Sequence, residues 1–357
     1  MKVLVTGADG YIGCILTPYL MQHGHEVAGL DAGFYRAGLL FHDDKPRPRT
    51  ITRDTRDVTP DDLAGFEAVV HLAELSNDPL ADNDVETTYS INLHGSLGLA
   101  HAAKRAGVKR FVYASSCSVY GVGASGVCSE ASDVNPLTAY AECKVLCERG
   151  LSELADSTFT PVFLRNATAF GASPRMRFDI VLNNLSGLAA TRGVIDMSSD
   201  GSPWRPLVHV QDICQAVDLM LAAAPDRIRG EAFNVGDDAQ NYRVRDIAEI
   251  VARSFPGCAT LFGPPSPDNR SYRVSFAKIH AALPEFVCRW RADDGARELW
   301  RVFNQIGMTR ETFEAAPFTR LKALKALMDA GQLDHNLRWA AFNAKPEAVA
   351  EYGVSLH

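Results

Sequence analysis

Residues 138–144 read TAYAECK, which sets Tyr140 four places before Lys144. On a helix such residues are neighbours. A tyrosine ionises near pH ~10, too high for a base at neutral pH. A close ammonium favours the phenolate and lowers that value. The pair is a candidate acid/base. A half-buried tyrosine beside a solvated lysine is the other reading that these two residues leave open, so the rest of the chain must decide.

A second constellation opens the chain. Gly7, Gly10 and Gly13 stand in TGADGYIG, after the apolar, β-branched KVLV and before YIGCILTPYLMQHG, whose apolar residues have helical spacing. That helix stops at Gly24, and HEVAGL follows as a second strand ending before Asp31. In such a strand–turn–helix–strand unit one glycine permits the tight turn. Another lets a pyrophosphate approach the backbone, and a third lets helix and strand pack closely. The helix N-terminus, with Tyr11 and Ile12 at its mouth, offers free N–H groups to phosphates. Asp31 stands where a carboxylate accepts bonds from an adenosine ribose and repels a 2′-phosphate, so NAD is the expected cofactor. Arg36 keeps NADP as the lesser option.

These groups need a scaffold. ITR (51–53), AVVHLA (68–73), RFVYAS (110–115) and TPVFLRN (160–166) read as further strands, and 90–107 and the stretch from 138 as helices. Alternating strands and helices predict an α/β protein with a Rossmann-type, doubly wound parallel sheet. Ligands then bind beyond the carboxyl ends of the strands. The ends TGADG, Asp31, Asp54-Thr55, HLAELSND, SSCSVYG and RNATAFG are expected to line one crevice. The rhythm breaks after residue 170. We expect a dinucleotide-binding domain over 1–170, with a returning segment at about 206–238, and an interwoven substrate-binding region from 171–205 and 239–357.

Composition excludes several classes. The chain has 357 residues, 46% hydrophobic and 22% charged, enough for a real core. A net charge of −7 argues against nucleic acid or an anionic membrane as partner. No apolar run approaches the length that spans a bilayer, and because Met1-Lys2 leads straight into the first strand no signal peptide is expected. The eight cysteines show no CxxC and no regular framework. A reduced cytoplasmic protein without disulfides or metal is expected.

At this point the chain resembles the extended short-chain dehydrogenase/reductase family, and within it the NAD-dependent nucleotide-sugar epimerases and dehydratases. The resemblance rests on TGADGYIG, HLAE (71–74), SSCSVYG (115–121), YAECK (140–144), RPLVHVQD (205–212) and FNVGD (233–237), in the family's order. It implies a catalytic set of Ser116, Tyr140 and Lys144. Tyr140 would take a proton from a sugar hydroxyl as hydride leaves its carbon. Lys144 would lower the tyrosine's pKa and hold the nicotinamide ribose. Ser116, third before Val119, would hydrogen-bond the reacting oxygen. On its own, Ser116 reads as a strand-end serine capping its own backbone.

The resemblance also implies cofactor contacts. Asp54 and Thr55 would border the adenine, and Leu72 and Ala73 the pyrophosphate and ribose. Asn92 would either repair a helix backbone break or orient Lys144. For the substrate it implies a nucleotide diphosphate sugar, whose diphosphate requires local cations in an acidic protein. Arg205 and Arg270 are the favoured ones, with Arg177, Arg175 and Arg273 as further candidates. Asn184 would meet the diphosphate or the base. Thr168 stands where relatives often carry an asparagine that touches substrate, and Cys117 and Asp78 border the same place. Glu74 reads as a cofactor-side or structural residue. The tail around RETFEAAPFTRLKALKALMDAG reads as a solvated helix with its leucine stripe inward, and carries no chemistry.

Resembling dehydratases place an Asp-Glu pair immediately after the catalytic hydroxyl, where this chain has Cys117 and Ser118. An epimerase acting through transient oxidation at C4 is therefore expected before a 4,6-dehydratase. A non-catalytic dinucleotide sensor is the remote alternative. Apolar residues on helices 90–107 and 138–154 (Leu93, Leu97, Leu99, Val145, Leu146, Leu151) further suggest a homodimer.

Overall fold

The structure is a computed structural model and describes residues 1–76, 84–122, 126–265, 271–340 and 354–355. Seven parallel strands form the central sheet. Their spatial order is Ala232–Val235, Thr160–Asn166, Arg110–Ser116, Ala68–His71, Lys2–Thr6, Glu26–Asp31 and Thr50–Thr52. The first strand thus sits mid-sheet and the chain winds outward on both sides. The change of direction falls between Lys2–Thr6 and Ala68–His71, whose Val3 and Ala68 are in register. Ligands bind at such a switch point in doubly wound sheets.

The strands are near-continuous apolar runs because both faces are covered. Val3, Leu4, Val5, Val69, Val70 and Phe111 are fully buried. Helices Gly13–Gln22 and Val210–Ala222 cover one face, joined in one core with Val3, Val5, Val70 and Val112. Helices Ser96–Arg105 and Ala139–Glu153 cover the other through Leu99, Ala103, Cys147 and Leu151.

The six early strands fall where the sequence puts them. The seventh, Ala232–Val235, was read only as part of a motif. The irregular stretch after 170 is more ordered than its composition suggests. It holds helix Val181–Arg192 and strand Val194–Met197, which pairs with Ala259–Phe262. A three-stranded sheet of Asn241–Arg243, Trp204–His209 and Thr168–Phe170 lies beside them. The tail forms Ala292–Gln305, Arg310–Glu314 and Arg320–Asp329. Leu324, Leu333 and Leu337 from the tail make a small core with Leu75 and Ile91 of the first half. No helix among the described residues is long and apolar enough to cross a membrane.

Candidate active site

The carboxyl ends of the strands open into two adjoining clefts rather than one crevice. They share Ile12, Leu72, Glu74, Ser76 and Arg177. The first, of about 830 Å³, is lined by Gly7, Gly10, Tyr11, Gly13, Asp31, Asp54, Thr55 and Ala73. Its floor is backbone. Gly7 has φ +73°, and a Cβ there would come within 2.9 Å of Ala73 N in the next strand end. A Cβ on Gly13 would lie 2.1 Å from the Gly7 carbonyl oxygen. Only glycine allows this turn to close so tightly on the helix start.

Asp31 is held by two backbone amides, Asp9 N at 3.0 Å and Gly33 N at 2.7 Å. Burial pushes its carboxyl up to about 6, reinforced by nearby Asp9 and opposed by those amides and Arg36. Arg36 is tied to Asp9 at 2.8 Å, so its charge is shared with that carboxylate. Asp54 is likewise engaged, with Arg56 at 2.6 Å and Arg338 at 3.3 Å. Burial opposes its ionisation, but the bonds from Arg56 dominate and hold it below the usual carboxylate range. Thr55 is buried beside it. The Tyr35 hydroxyl lines this cleft, buried and without a hydrogen-bond partner among the described residues. A glycine cradle, an acceptor carboxylate and an orphaned hydroxyl together fit a dinucleotide.

The second cleft, of about 1770 Å³, is lined by Ser116, Ser118, Tyr140, Lys144, Asn166, Thr168, Arg177, Asn184, Arg205 and Tyr272 among others. Thr138 caps helix Ala139–Glu153 by accepting from Ala141 N, so Tyr140 and Lys144 lie in its first two turns. The lysine Nζ stands 5.4 Å from the Tyr140 ring centre and 4.6 Å from that of Tyr113. Lys144 is 4% exposed and donates to the Ala114 carbonyl. It is also ion-paired with Glu74 at 2.6 Å. Burial pulls its pKa down, but Glu74 and Tyr140 outweigh that and raise it, so the ammonium stays charged.

Glu74 is the feature the sequence left undecided. Its Oε1 accepts from Tyr113 Oη at 2.7 Å and Ser96 Oγ at 3.2 Å. Ser96 also contacts His71 Nε2 at 2.8 Å. Burial and Lys144 push that imidazole down to about 3, so it is neutral. A buried carboxylate therefore stands directly under the lysine of the acid/base pair.

The three serines divide their work. Ser115 donates to Glu148, inside the pair Glu148 makes with Arg165. Ser116 reaches the cleft and also caps the following turn, accepting from Ser118 N at 3.1 Å. The Ser118 hydroxyl and the Asn166 side-chain oxygen are buried without hydrogen-bond partners among the described residues, and both residues line the cleft.

Other candidates are placed differently. Asn92 is fully buried, outside both clefts. In a π-helical turn, Tyr89–Gly95, its amide bonds Leu75 N at 2.8 Å and Leu75 O at 3.0 Å. It anchors the loop after strand Ala68–His71, repairing backbone rather than touching Lys144 or the cofactor cleft. Cys117 faces the core and its thiol meets the Arg165 carbonyl oxygen at 3.1 Å. Burial raises that thiol well above its ordinary value, so it is neither a substrate contact nor an acid/base. Arg177 pairs with Asp179 at 2.9 Å where the clefts meet. Arg175 bonds the Arg36 carbonyl, and exposed Arg273 lies over Trp204 at 5.4 Å. Asp78 and Arg270 lie outside the described residues. Tyr272, Tyr35 and Arg320 were missed. Tyr272 carried a signal, since it stands in the DNRSYRVS stretch already singled out for its arginines.

A model of the NAD dependent epimerase/dehydratase family matches residues 3–236. The chain belongs to that family. It is thus an enzyme of the short-chain dehydrogenase/reductase type, with NAD as cofactor. A UDP-glucose 4-epimerase of Mycolicibacterium smegmatis is 32% identical to this family member over 268 residues, 71% of this chain and 82% of that protein. The low-salt glycan biosynthesis protein Agl12 of Haloferax volcanii is 28% identical, over 70% of this chain and 82% of that one. Among solved structures, MoeE5 in complex with UDP-glucuronic acid and NAD superposes with a TM-score of 0.73 at 28% identity, covering 85% of this chain and 99% of its own. DesIV, a dTDP-glucose 4,6-dehydratase from Streptomyces venezuelae, gives 0.75 at 24% identity, covering 87% and 100%, and speaks for the fold.

Proposed function

We propose that this enzyme is a nucleotide-sugar epimerase that inverts a sugar carbon, C4 by preference, through transient oxidation. The observation that carries this reading is the second cleft's chemistry: Tyr140 and Lys144 face it, and neither residue after Ser116 offers a carboxylate. A bound NAD would accept the hydride and return it. Tyr140 takes the proton of the sugar hydroxyl as the carbon is oxidised and gives it back on reduction. Ser116 donates to the oxygen as it becomes a carbonyl. Lys144, kept charged by Glu74, favours the phenolate of Tyr140. Arg205, Arg177 and Asn184 hold the diphosphate end, and Ser118 and Asn166 the sugar hydroxyls. Asp31 accepts from the adenosine ribose.

A dehydratase must also remove a C5 proton and protonate the leaving C6 hydroxyl. Cys117 is turned inward and Glu74 is committed to Lys144, Tyr113 and Ser96. We also propose a homodimer through the helical stretch made by Tyr89–Gly95 and Ser96–Arg105 and through helix Ala139–Glu153. Leu99, Val145 and Leu151 are buried in the protomer's own core, leaving partly exposed Leu93, Leu97 and Leu146 as the apolar contribution.

The test is to incubate the enzyme with several nucleotide-hexoses in deuterated water and follow products by NMR. An epimer without deuterium supports inversion at C4. A 4-keto-6-deoxy sugar would overturn epimerisation in favour of dehydration.

A further inference from the structure

The C-terminal segment reads in the sequence as a solvated helix. In the structure it packs against the first half of the chain, and of its described residues Arg320 lines the cleft that carries the glycine turn. Trp339 Nε1 donates to the Ala32 carbonyl at 2.7 Å, and Arg56 donates to the Asn336 carbonyl at 2.9 Å. Leu324, Leu333 and Leu337 pack against Leu75, Ile91 and Phe34. These contacts fasten helix Arg320–Asp329 and the segment after it to the first half of the chain.

The first residue of that helix is Arg320. It is 2% exposed and lines the cleft with Tyr35, Arg177 and the glycine turn. Its guanidinium carbon lies 4.0 Å from the centre of the Tyr35 ring. Arg177 has Asp179 as its counter-ion. Among the described residues no carboxylate stands within ion-pair distance of the Arg320 guanidinium, although Asp179 accepts from its backbone N–H at 3.3 Å, and Asp179 and Asp31 lie close enough to oppose part of its pKa shift. Burial, and then the charge of Arg177, push its pKa down to about 10. A buried cation without its own counter-ion is costly, and an anion entering the cleft repays that cost. The neighbouring Tyr35 hydroxyl is likewise buried without a partner. Among the described residues, a cation with no ion pair of its own and a hydroxyl with no hydrogen-bond partner thus stand together at the cleft that carries the glycine turn.

We propose that Arg320 and Tyr35 bind a phosphate group of the bound dinucleotide, so that the tail completes the cofactor site. The inference rests on the reading of this cleft as the NAD site. It goes beyond that reading because the family model ends at residue 236, and Arg320 arrives from outside the matched span. The diphosphate common to NAD and ADP-ribose is the favoured group. A 2′-phosphate, present in NADP, shares the chemistry and is separated by the test.

Dissociation constants for NAD, NADP, ADP-ribose and adenosine are measured by calorimetry on nucleotide-free wild type, Arg320→Met and Arg320→Lys, with circular dichroism as the check on folding. A charge-assisted bond to phosphate predicts that Arg320→Met weakens NAD and ADP-ribose about ten-fold or more while adenosine is unchanged. Arg320→Lys should recover part of the loss. Loss confined to NADP would overturn the diphosphate assignment in favour of the 2′-phosphate. An equal loss for adenosine would make Arg320 structural, and unaltered NAD and ADP-ribose binding would remove it from the site. Should Arg320→Met not fold, Arg320→Lys and Tyr35→Phe carry the same comparison. A wild type that binds none of the dinucleotides would overturn the cleft's assignment itself, and with it this inference.

Discussion

The two clefts share a wall but are built on different principles. The dinucleotide cleft rests on backbone: a glycine turn, helix-start amides and one carboxylate fixed by two N–H groups. The second cleft, proposed for the substrate, rests more on side chains, brought from residues between Ile12 and Tyr272. Backbone contacts require little side-chain ordering and read features common to all dinucleotides. Side-chain contacts can be exchanged one at a time, which suits a site that must select one sugar. Lys144 and Glu74 stand at the junction, so a change there should be felt on both sides, and a change elsewhere on one.

The largest effect is expected at that junction. Glu74→Ala leaves a buried ammonium unpaired, which typically costs about 3–5 kcal/mol. Thermal or denaturant unfolding measures this, and Glu74→Gln should lose less because it keeps hydrogen bonds to Tyr113 and Ser96. Wild-type stability of Glu74→Ala would break the link between the clefts.

Next comes Tyr140→Phe. Turnover should fall at least ~10²-fold with NAD affinity nearly unchanged. Undiminished turnover would remove Tyr140 as the acid/base, and lost NAD binding would blur the division between the clefts.

Arg205→Ala should raise KM for the nucleotide sugar roughly ten-fold or more, the worth of one charge-assisted bond, and leave NAD binding as it was. An effect on NAD instead would move Arg205 to the other cleft's account.

The smallest effect is on pH. Asp31 has its carboxyl raised to about 6, and ribose hydroxyls donate to its ionised form. NAD affinity should be full above that value and fall up to about ten-fold per pH unit below it. In the unliganded protein the same burial acts oppositely. Its contribution to stability is present below the ordinary carboxylate value and is lost as pH rises through about 6. Calorimetry from about one pH unit below that value to about two above it checks the first, with Asp31→Asn expected to flatten the curve.

The sequence by itself determined what local geometry dictates. Glycine spacing forces the turn between Lys2–Thr6 and Gly13–Gln22. Four-residue spacing sets Tyr140 beside Lys144, and alternating strands and helices force a parallel sheet whose strand ends gather at one edge. Each of these depends on residues close in the chain or on one periodic pattern. The tertiary structure alone decided the pairing of Glu74 with Lys144, the inward turn of Cys117, the binding of Asn92 to Leu75 and the arrival of Arg320 in the cleft that the glycine turn also lines. No spacing encodes these contacts. They follow from which distant segments pack together, since the polar groups buried there take the partners that the packing brings within reach.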